Sequence, residues 1–521
     1  MENNKTIAVG IDLGTGFSSV AVVDEYGKPK ILQNSEFELN TRSVVLIYDD
    51  GKVIVGTQAF NESLLYPNQC FQWIKREMGK DIVLYIDKNG VEYKPQRLVS
   101  YILAKLKLDA EKSLGQEIKY CVITVPAYFK DPERQATIEG GRLAGFEVLG
   151  LLNEPTASAL AYGMDKEVGK KFIIYDFGAG TFDVSIAKVE KVGEISIIDT
   201  DGVRNLGGHD IDNLLIQKVN DFCEKEYGFK PDPVADASTC QEIREKAERL
   251  KISLSCKKKS TFVCNIRGKQ VSFELPREEF ENMIKDLIKK TIDVTQSTLE
   301  HAKLSWKDID DIVLTGGSSC IPLVKKLLKE VSGKDPKTTI EPDKAVALGA
   351  AIYAALLAKE AGLKVVDPLG RELYLPNIVL KDIMRHPLGI IVQDPTTKEL
   401  RCCVMIERGT TLPAKKVDKF KLVEVNQTGA KIKVVQGEKN ALESECLLIG
   451  ELELRNLPIA SNDKERIEVV YEYDKDGIIH VTATDLISMQ KVSTDLNYAK
   501  GLSNEEINNQ SKEIQKQIQE E

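Results

Sequence analysis

One motif occurs twice in this chain, and that repetition constrains the fold more than any bulk property does. AVGIDLGTG near the N-terminus is echoed by IIYDFGAGTFD at 173–183, and more faintly by DIVLTGGSS at 311–319. In the first two, an apolar strand ends on a carboxylate, Asp12 or Asp176, and turns at once through small residues. Asp is disfavoured in strands, and glycine weakens a strand pair unless something must approach the backbone closely. A single instance reads as an ordinary hairpin. Two instances, in different halves of a region alternating strands and helices, predict a duplicated fold with a cleft between its halves.

The chemistry of such a cleft suits a nucleoside triphosphate with magnesium. Glycine turns bring backbone N–H groups to phosphate oxygens with no Cβ in the way. The hydroxyls of Thr15 and Thr181 add donors, and facing carboxylates hold Mg2+ at one remove because that ion keeps much of its water. Two other nucleotide signatures are absent: no Gly-Lys-Ser/Thr loop occurs, and no GxGxxG follows a strand. Ten cysteines form no CxxC pair and only four histidines are present, which predicts reduced structural thiols and no zinc site. A net charge of −9 with no long basic block argues against non-specific nucleic-acid binding. The N-terminus lacks a secretory pattern, and the longest apolar stretch, 345–358, is too short to span a bilayer. The expectation is a cytoplasmic protein with no membrane contact.

With 521 residues the chain is too long for one core, and two to four domains are expected. Strands and helices alternate to about residue 361. DPERQATIEGGRLAG reads as a helix with Asp131 as N-cap and Pro132 at its first position. QEIREKAERLKISLS reads as another, with Ile243, Ala247, Leu250 and Leu254 on one face. A Pro- and Gly-rich connector covers 362–387. From 388 to 500 short alternating runs broken by turn residues predict an all-β sandwich. The tail, 501–521, is polar and helix-prone, with Ser503 and Glu506 spaced as a capping box and Leu502, Ile507, Ile514 and Ile518 as one shallow docking face.

The chain resembles DnaK-type chaperones of the seventy-kilodalton heat-shock family. The matching stretches are GIDLGTGFSSV, TVPAYFKDPERQAT, LLNEPTASALAYG, YDFGAGTFDVS, NLGGHDIDN, DIVLTGGSS and EPDKAVALGAA, followed by PLGIIV, ERGTTLP, VVQGE, IEVVYEYDKDGIIHVTATD and GLSNEEI. Each is modest alone, but their collinear order covers nearly the whole chain. The resemblance implies a two-lobed, duplicated α/β ATPase of the actin-like fold, then the β-sandwich, then a remnant of a helical lid.

Carried over residue by residue, the resemblance makes Asp12, Asp176 and Asp183 organisers of the magnesium shell and the attacking water, with Asp12 and Asp176 acting on the metal through water. Thr15 and Thr181, with Gly14, Gly16, Gly178 and Gly180, meet the phosphates. Lys75 matches the family's catalytic lysine, and Glu154 matches a carboxylate near metal and water. Gly207 and Gly208 approach the phosphates from the other lobe. Gly316, Gly317 and Ser318 border the ribose and adenine, with Asp343 nearby. Glu248, Lys251 and Ser255 share one helical face as nucleoside contacts. Ile390, Val392, Phe420, Val423, Gln427, Ala430 and Ile432 match the channel that holds an extended apolar peptide. Pro126, Arg134 and Asp382 match a relay between the phosphate site and the connector.

The departures are specific. Ile252 and Cys320 stand where the family sandwiches adenine between two arginines, a loss of about 0.5–2 kcal/mol per contact that predicts weaker or more permissive nucleotide binding. Gly16–Phe17 replaces a threonine–tyrosine pair, and Ala179 replaces the middle of three glycines. Lys381 replaces an apolar connector residue. Ala430 replaces a larger aliphatic, and the segment 395–400 lengthens the loop over the channel. Gly150 stands where an arginine helps dock J-domain co-chaperones, which leaves that partnership open, whereas a nucleotide-exchange factor remains an implied partner. By the resemblance the helical lid is almost wholly missing, through truncation or because the protein is lidless, and without a lid peptide exchange is expected to be fast. The implied function is an ATP-dependent chaperone of unfolded or extended apolar polypeptides, cycling ATP and ADP with Mg2+. The alternative is a nucleotide-gated holdase or regulator with little hydrolysis.

Overall fold

The computed structural model describes residues 5–164, 166–338, 341–373, 375, 378–460, 464–474, 479–496 and 502–519. In it, the strand Ala8–Asp12 pairs antiparallel with Phe17–Val23, so that Asp12 faces Ser19 across the ladder. The same hairpin recurs in Lys171–Phe177 with Phe182–Lys191, where Asp176 faces Asp183. Each hairpin sits inside a larger sheet built to one plan. On the far side of the first strand lies a parallel neighbour, Tyr120–Val125 in one sheet and Asp311–Thr315 in the other. On the far side of the second lies an antiparallel neighbour, Pro29–Ile31 or Glu194–Val203. The duplication read from two short turns therefore extends to whole sheets.

The helix Ala345–Glu360 is nearly all apolar, and its small residues have a geometric reason. A Cβ on Gly10 would fall 2.0 Å from the backbone N of Ala351, and one on Gly349 would fall 1.8 Å from the carbonyl of Ala157. The helix thus lies directly on the first hairpin strand and on the helix Glu154–Gly163, which fixes Glu154 at the N-terminus of the latter. The predicted face of the helix Ala237–Cys256 is buried at Ile243, Ala247, Leu250 and Leu254. One cap is corrected. The helix Asp131–Leu143 starts one residue earlier than expected: Lys130 is the N-cap, and Asp131 is the first helical residue, making no side-chain cap bond.

The connector is built into the α/β region at two points. Lys364–Val365 pairs parallel with Lys5–Thr6, and Val379–Lys381 pairs parallel with Glu194–Val203 as an edge strand. Lys381 is accommodated because an edge side chain reaches solvent, where it pairs with Glu194 at 2.6 Å.

Two four-stranded antiparallel sheets follow, Leu388–Gln393 in one and Ile467–Tyr473 in the other, around one apolar core. The Tyr471 hydroxyl crosses that core to donate to the Gly389 carbonyl at 2.7 Å. The tail forms the helix Asn504–Gln519, opened by reciprocal Ser503–Glu506 bonds of 2.8 and 3.3 Å. Ile507, Ile514 and Ile518 are buried against the helix Pro95–Leu114, and Arg97 pairs with Glu513 at 2.8 Å. The expected boundary at 500/501 lies outside the described residues. All ten cysteines are free thiols, and no helix among the described residues is long and apolar enough to cross a membrane.

Candidate functional site

The two hairpin turns meet. A Cβ on Gly180 would lie 2.5 Å from the Thr15 methyl, so the second turn packs on the first only because that residue is glycine. Between and above them opens a cavity of about 490 Å3. Its floor carries Asp12, Asp176, Lys75 and Glu154; its turns contribute Gly14, Thr15, Gly16, Gly178 and Thr181.

Lys75 sits in a single 3-10 turn, Ile74–Glu77, entered through Trp73 in the left-handed region at φ 56°. That turn drives the lysine inward, where it is 5% exposed. Its ammonium donates to the Leu13 carbonyl at 2.5 Å and pairs with Glu154. Burial, then the nearby Glu154 charge, pushes Asp12 up to about 7. Asp183 is also raised to about 7, again by burial first and Glu154 second, against the pull of Arg385. Asp176 is raised well above the usual carboxylate range by burial, Glu154, Asp183 and Asp12. Four carboxylates thus crowd one lysine, and the floor is short of positive charge. Asp183 Oδ1 accepts the Ala127 N–H at 3.0 Å, while its buried Oδ2 has no hydrogen-bond partner among the described residues. Among the described residues no three ligands converge tightly enough to hold a metal directly. Such a floor fits a hydrated cation, held through its water rather than directly.

Of the remaining nucleotide candidates, Glu248, Lys251, Ile252, Gly316, Gly317, Ser318, Cys320 and Asp343 line the outer part of the same cavity. Several are engaged by protein groups. Lys251 pairs with Asp212 at 2.8 Å, Glu248 with Arg42 at 3.4 Å, and Asp343 accepts from Asn40 at 2.8 Å. Ile252 is 55% exposed and Cys320 is exposed, so the outer end offers an apolar side chain and a thiol. Ser255, Asp183, Gly180, Gly207 and Gly208 are not on the cavity wall. The Ser255 hydroxyl instead bonds back to the Lys251 carbonyl at 3.0 Å, and Gly207 packs under the second turn, its Cβ direction 2.6 Å from Ala179.

Sequence reasoning missed the groups that tie the two lobes together. Arg42 lies between the rings of Phe17 and Phe60, 4.7 and 3.9 Å from their centroids, while reaching Glu248. Trp73 stacks on His209 at 4.1 Å, and Arg76 pairs with Asp210 at 2.6 Å. Arg385, in the connector, pairs with Asp201 at 2.6 Å and lies 4.0 Å from Asp183. All these pairs are distant in sequence, so no local spacing announces them.

The relay positions meet the connector. Arg134 bonds Asn153, whose amide donates to Asp382 at 3.0 Å; Thr156 donates to the same carboxylate at 3.4 Å. The β region docks beside them: His386 donates to the Tyr128 carbonyl at 2.9 Å, and Gln436 accepts the Asp131 N–H at 3.4 Å. Farther out, Ile390, Val392, Phe420, Val423, Gln427, Ala430 and Ile432 all line one cavity of about 650 Å3. The Gln427 side chain holds its own loop, accepting from the Val423 and Glu424 N–H groups at 3.1 and 3.2 Å.

Comparison with known proteins gives a consistent result. The family model described as Hsp70 protein matches residues 8–521. The chain is 40% identical over 516 residues to the chaperone protein DnaK of Thermotoga petrophila, spanning 97% of this chain and 83% of that protein. It is 39% identical over 516 residues to the chaperone protein DnaK of Thermosipho africanus, spanning 98% of this chain and 83% of the relative.

Proposed function

Because the chain belongs to the Hsp70 family, we propose a working cycle for it in which the hairpin floor hydrolyses ATP and the distal groove holds an extended apolar peptide. The protein is an ATP-dependent chaperone, and its enzymatic activity is that of an ATPase. The observation that carries the assignment of residues is the convergence of Asp12, Asp176, Lys75 and Glu154 on one cavity under two touching glycine turns.

The backbone of both turns and the hydroxyls of Thr15 and Thr181 receive the phosphates. Mg2+ would be held through water by Asp12 and Asp176 and, when bound, neutralises phosphate charge. Glu154 fixes Lys75, whose ammonium stabilises the charge that grows on the transferring phosphoryl group. By the family pattern Asp183 orients the attacking water; it lies just behind the cavity wall, with one oxygen committed to Ala127 and the other without a described partner. The region to about 361 forms the ATPase, 362–387 the connector, 388–500 the peptide-binding domain and 501–521 the start of a lid. A cytoplasmic location and a nucleotide-exchange partner accord with this reading, while Gly150 leaves a J-domain partnership open.

Single-turnover hydrolysis tests it. Lys75→Ala is expected to lower the rate about a hundredfold or more while nucleotide still binds. Equal rates in variant and wild type would overturn the catalytic assignment.

A further inference from the structure

The distal groove has an apolar floor, and the charged residues lining it among those described are lysines. Its floor is built by Ile390, Val392, Phe420 and Ile432, and four lysines line its wall: Lys398, Lys421, Lys431 and Lys433. Among the described residues no aspartate or glutamate lines it. Two of the lysines are partly neutralised, Lys431 by Glu451 at 2.7 Å and Lys433 by Glu443 at 2.5 Å. Lys398 and Lys421 are exposed, and neither makes an ion pair with any described residue. Glu399, adjacent to Lys398, is taken by Arg401 at 2.6 Å. Glu424 follows Val423 but does not reach the wall.

Both free lysines sit on segments with a fixed course. Asp394 Oδ1 accepts the N–H groups of Thr396 and Thr397, each at 2.8 Å, and Lys398 follows in the left-handed region at φ 63°. The loop after Phe420 is pinned by Gln427 as described above. The backbone of both lysines is therefore fixed beside an apolar channel, within reach of whatever extends past its edge. An extended occupant sends its central side chains into that channel and its ends past the edge. A charge on those ends falls within one screening length of the lysines, about 10 Å at 0.1 M salt.

We propose that this groove selects apolar segments flanked by acidic residues and discriminates against those flanked by basic ones. The proposal rests on the reading of the groove as a peptide site. It adds the class of polypeptide that the site prefers: chains whose hydrophobic stretches lie between Asp or Glu residues.

The test uses the full chain with ADP and three fluorescent peptides. They share one leucine-rich centre and carry glutamate, serine or lysine pairs at both ends. Anisotropy titrations are expected to rank affinity glutamate over serine over lysine, with about two- to tenfold between the extremes. High salt should collapse the ranking onto the serine peptide. Lys398→Glu with Lys421→Glu should invert the ranking of the glutamate and lysine peptides. Equal binding of all three peptides, or a preference for the lysine peptide, overturns this inference and leaves the groove assignment standing. Failure of every peptide to bind overturns both.

Discussion

A threonine at position 16 would meet a methyl group that the family pattern does not place there. An ideal Cβ on Gly16 comes within 3.0 Å of the Ala179 Cβ, closer than side chains ordinarily pack. The two departures in the phosphate turns, Gly16 and Ala179, are thus one compensated change rather than two losses: bulk has moved from the first turn to the second. Gly16→Thr alone is expected to cost about 1–3 kcal/mol through overpacking, read as a fall in thermal midpoint with a weaker affinity for Mg-ADP. Adding Ala179→Gly should restore most of both. Under the proposed assignment, half-exposed Ile252 at the outer end of the cavity stands where a longer side chain would lie over a bound base. Ile252→Arg should tighten Mg-ADP by about 0.5–2 kcal/mol in a calorimetric titration, the worth of one cation–π contact. Residues of this kind differ in how well they can be read in advance. Asp12, Asp176 and the glycines declare themselves because a strand cannot end on them cheaply. Arg42 and Arg385 are ordinary surface arginines in one dimension. They acquire roles only when the chain brings Phe17, Phe60 and Glu248, or Asp183 and Asp201, from far away in sequence.

Elements show the same division. The hairpins, the Ala-rich helix and the alternating strands after residue 388 have periods and turn residues that determine them locally. The connector does not: its short strands Lys364–Val365 and Val379–Lys381 exist because Lys5–Thr6 and Glu194–Val203 offer unpaired edges. The C-terminal helix lies between these cases. Its capping box and its isoleucine spacing are explicit, yet a helix of this length is marginal in water without packing. Its order comes from Ile507, Ile514 and Ile518 in the core of the first lobe, with Arg97 and Glu513 at the margin. Removing one buried isoleucine side chain costs about 2–5 kcal/mol, which is comparable to what holds such an element down. Ile514→Ala should therefore release and melt the helix without unfolding the ATPase region. Hydrogen exchange would report lost protection confined to 504–519. Protection retained there would mean that the helix is held by contacts other than its apolar face.

At the scale of the whole molecule, the β region rests on the ATPase through polar groups that are costly to bury, and one of them titrates in an accessible range. His386 donates to the Tyr128 carbonyl between the two regions, and its imidazole is lowered from 6.5 to about 4, first by burial and then by Arg385, with Lys130 and Arg134 adding to the effect. The docked state therefore binds neutral His386, whereas a released His386 takes up a proton below about pH 6.5. Because the released state holds more protons between those two values, docking is strongest above about 6.5 and weakens progressively as pH falls toward 4. Asp131, raised to about 6 by burial, works in the opposite sense, since its docked form protonates first. Buried Asp382 is raised as well and adds to that opposition. Wild type alone thus mixes the slopes, and the informative quantity is its difference from His386→Gln, in which a neutral amide keeps the bond to Tyr128. Docking also bears on Asp183, because Arg385, in the connector, pairs with Asp201 and lies 4.0 Å from Asp183, where its charge lowers that carboxylate's pKa. Two ligands that each prefer one arrangement of the two regions must therefore alter each other's affinity by the same factor. Followed by hydrogen exchange of the connector amides with ATP bound, wild type should lose docking relative to His386→Gln as pH drops from 7 to 5.5. Over the same interval, acceleration of ATP turnover by an apolar peptide should shrink in wild type and hold in the variant. Parallel curves for the two proteins would show that His386 does not set the balance between docked and released states.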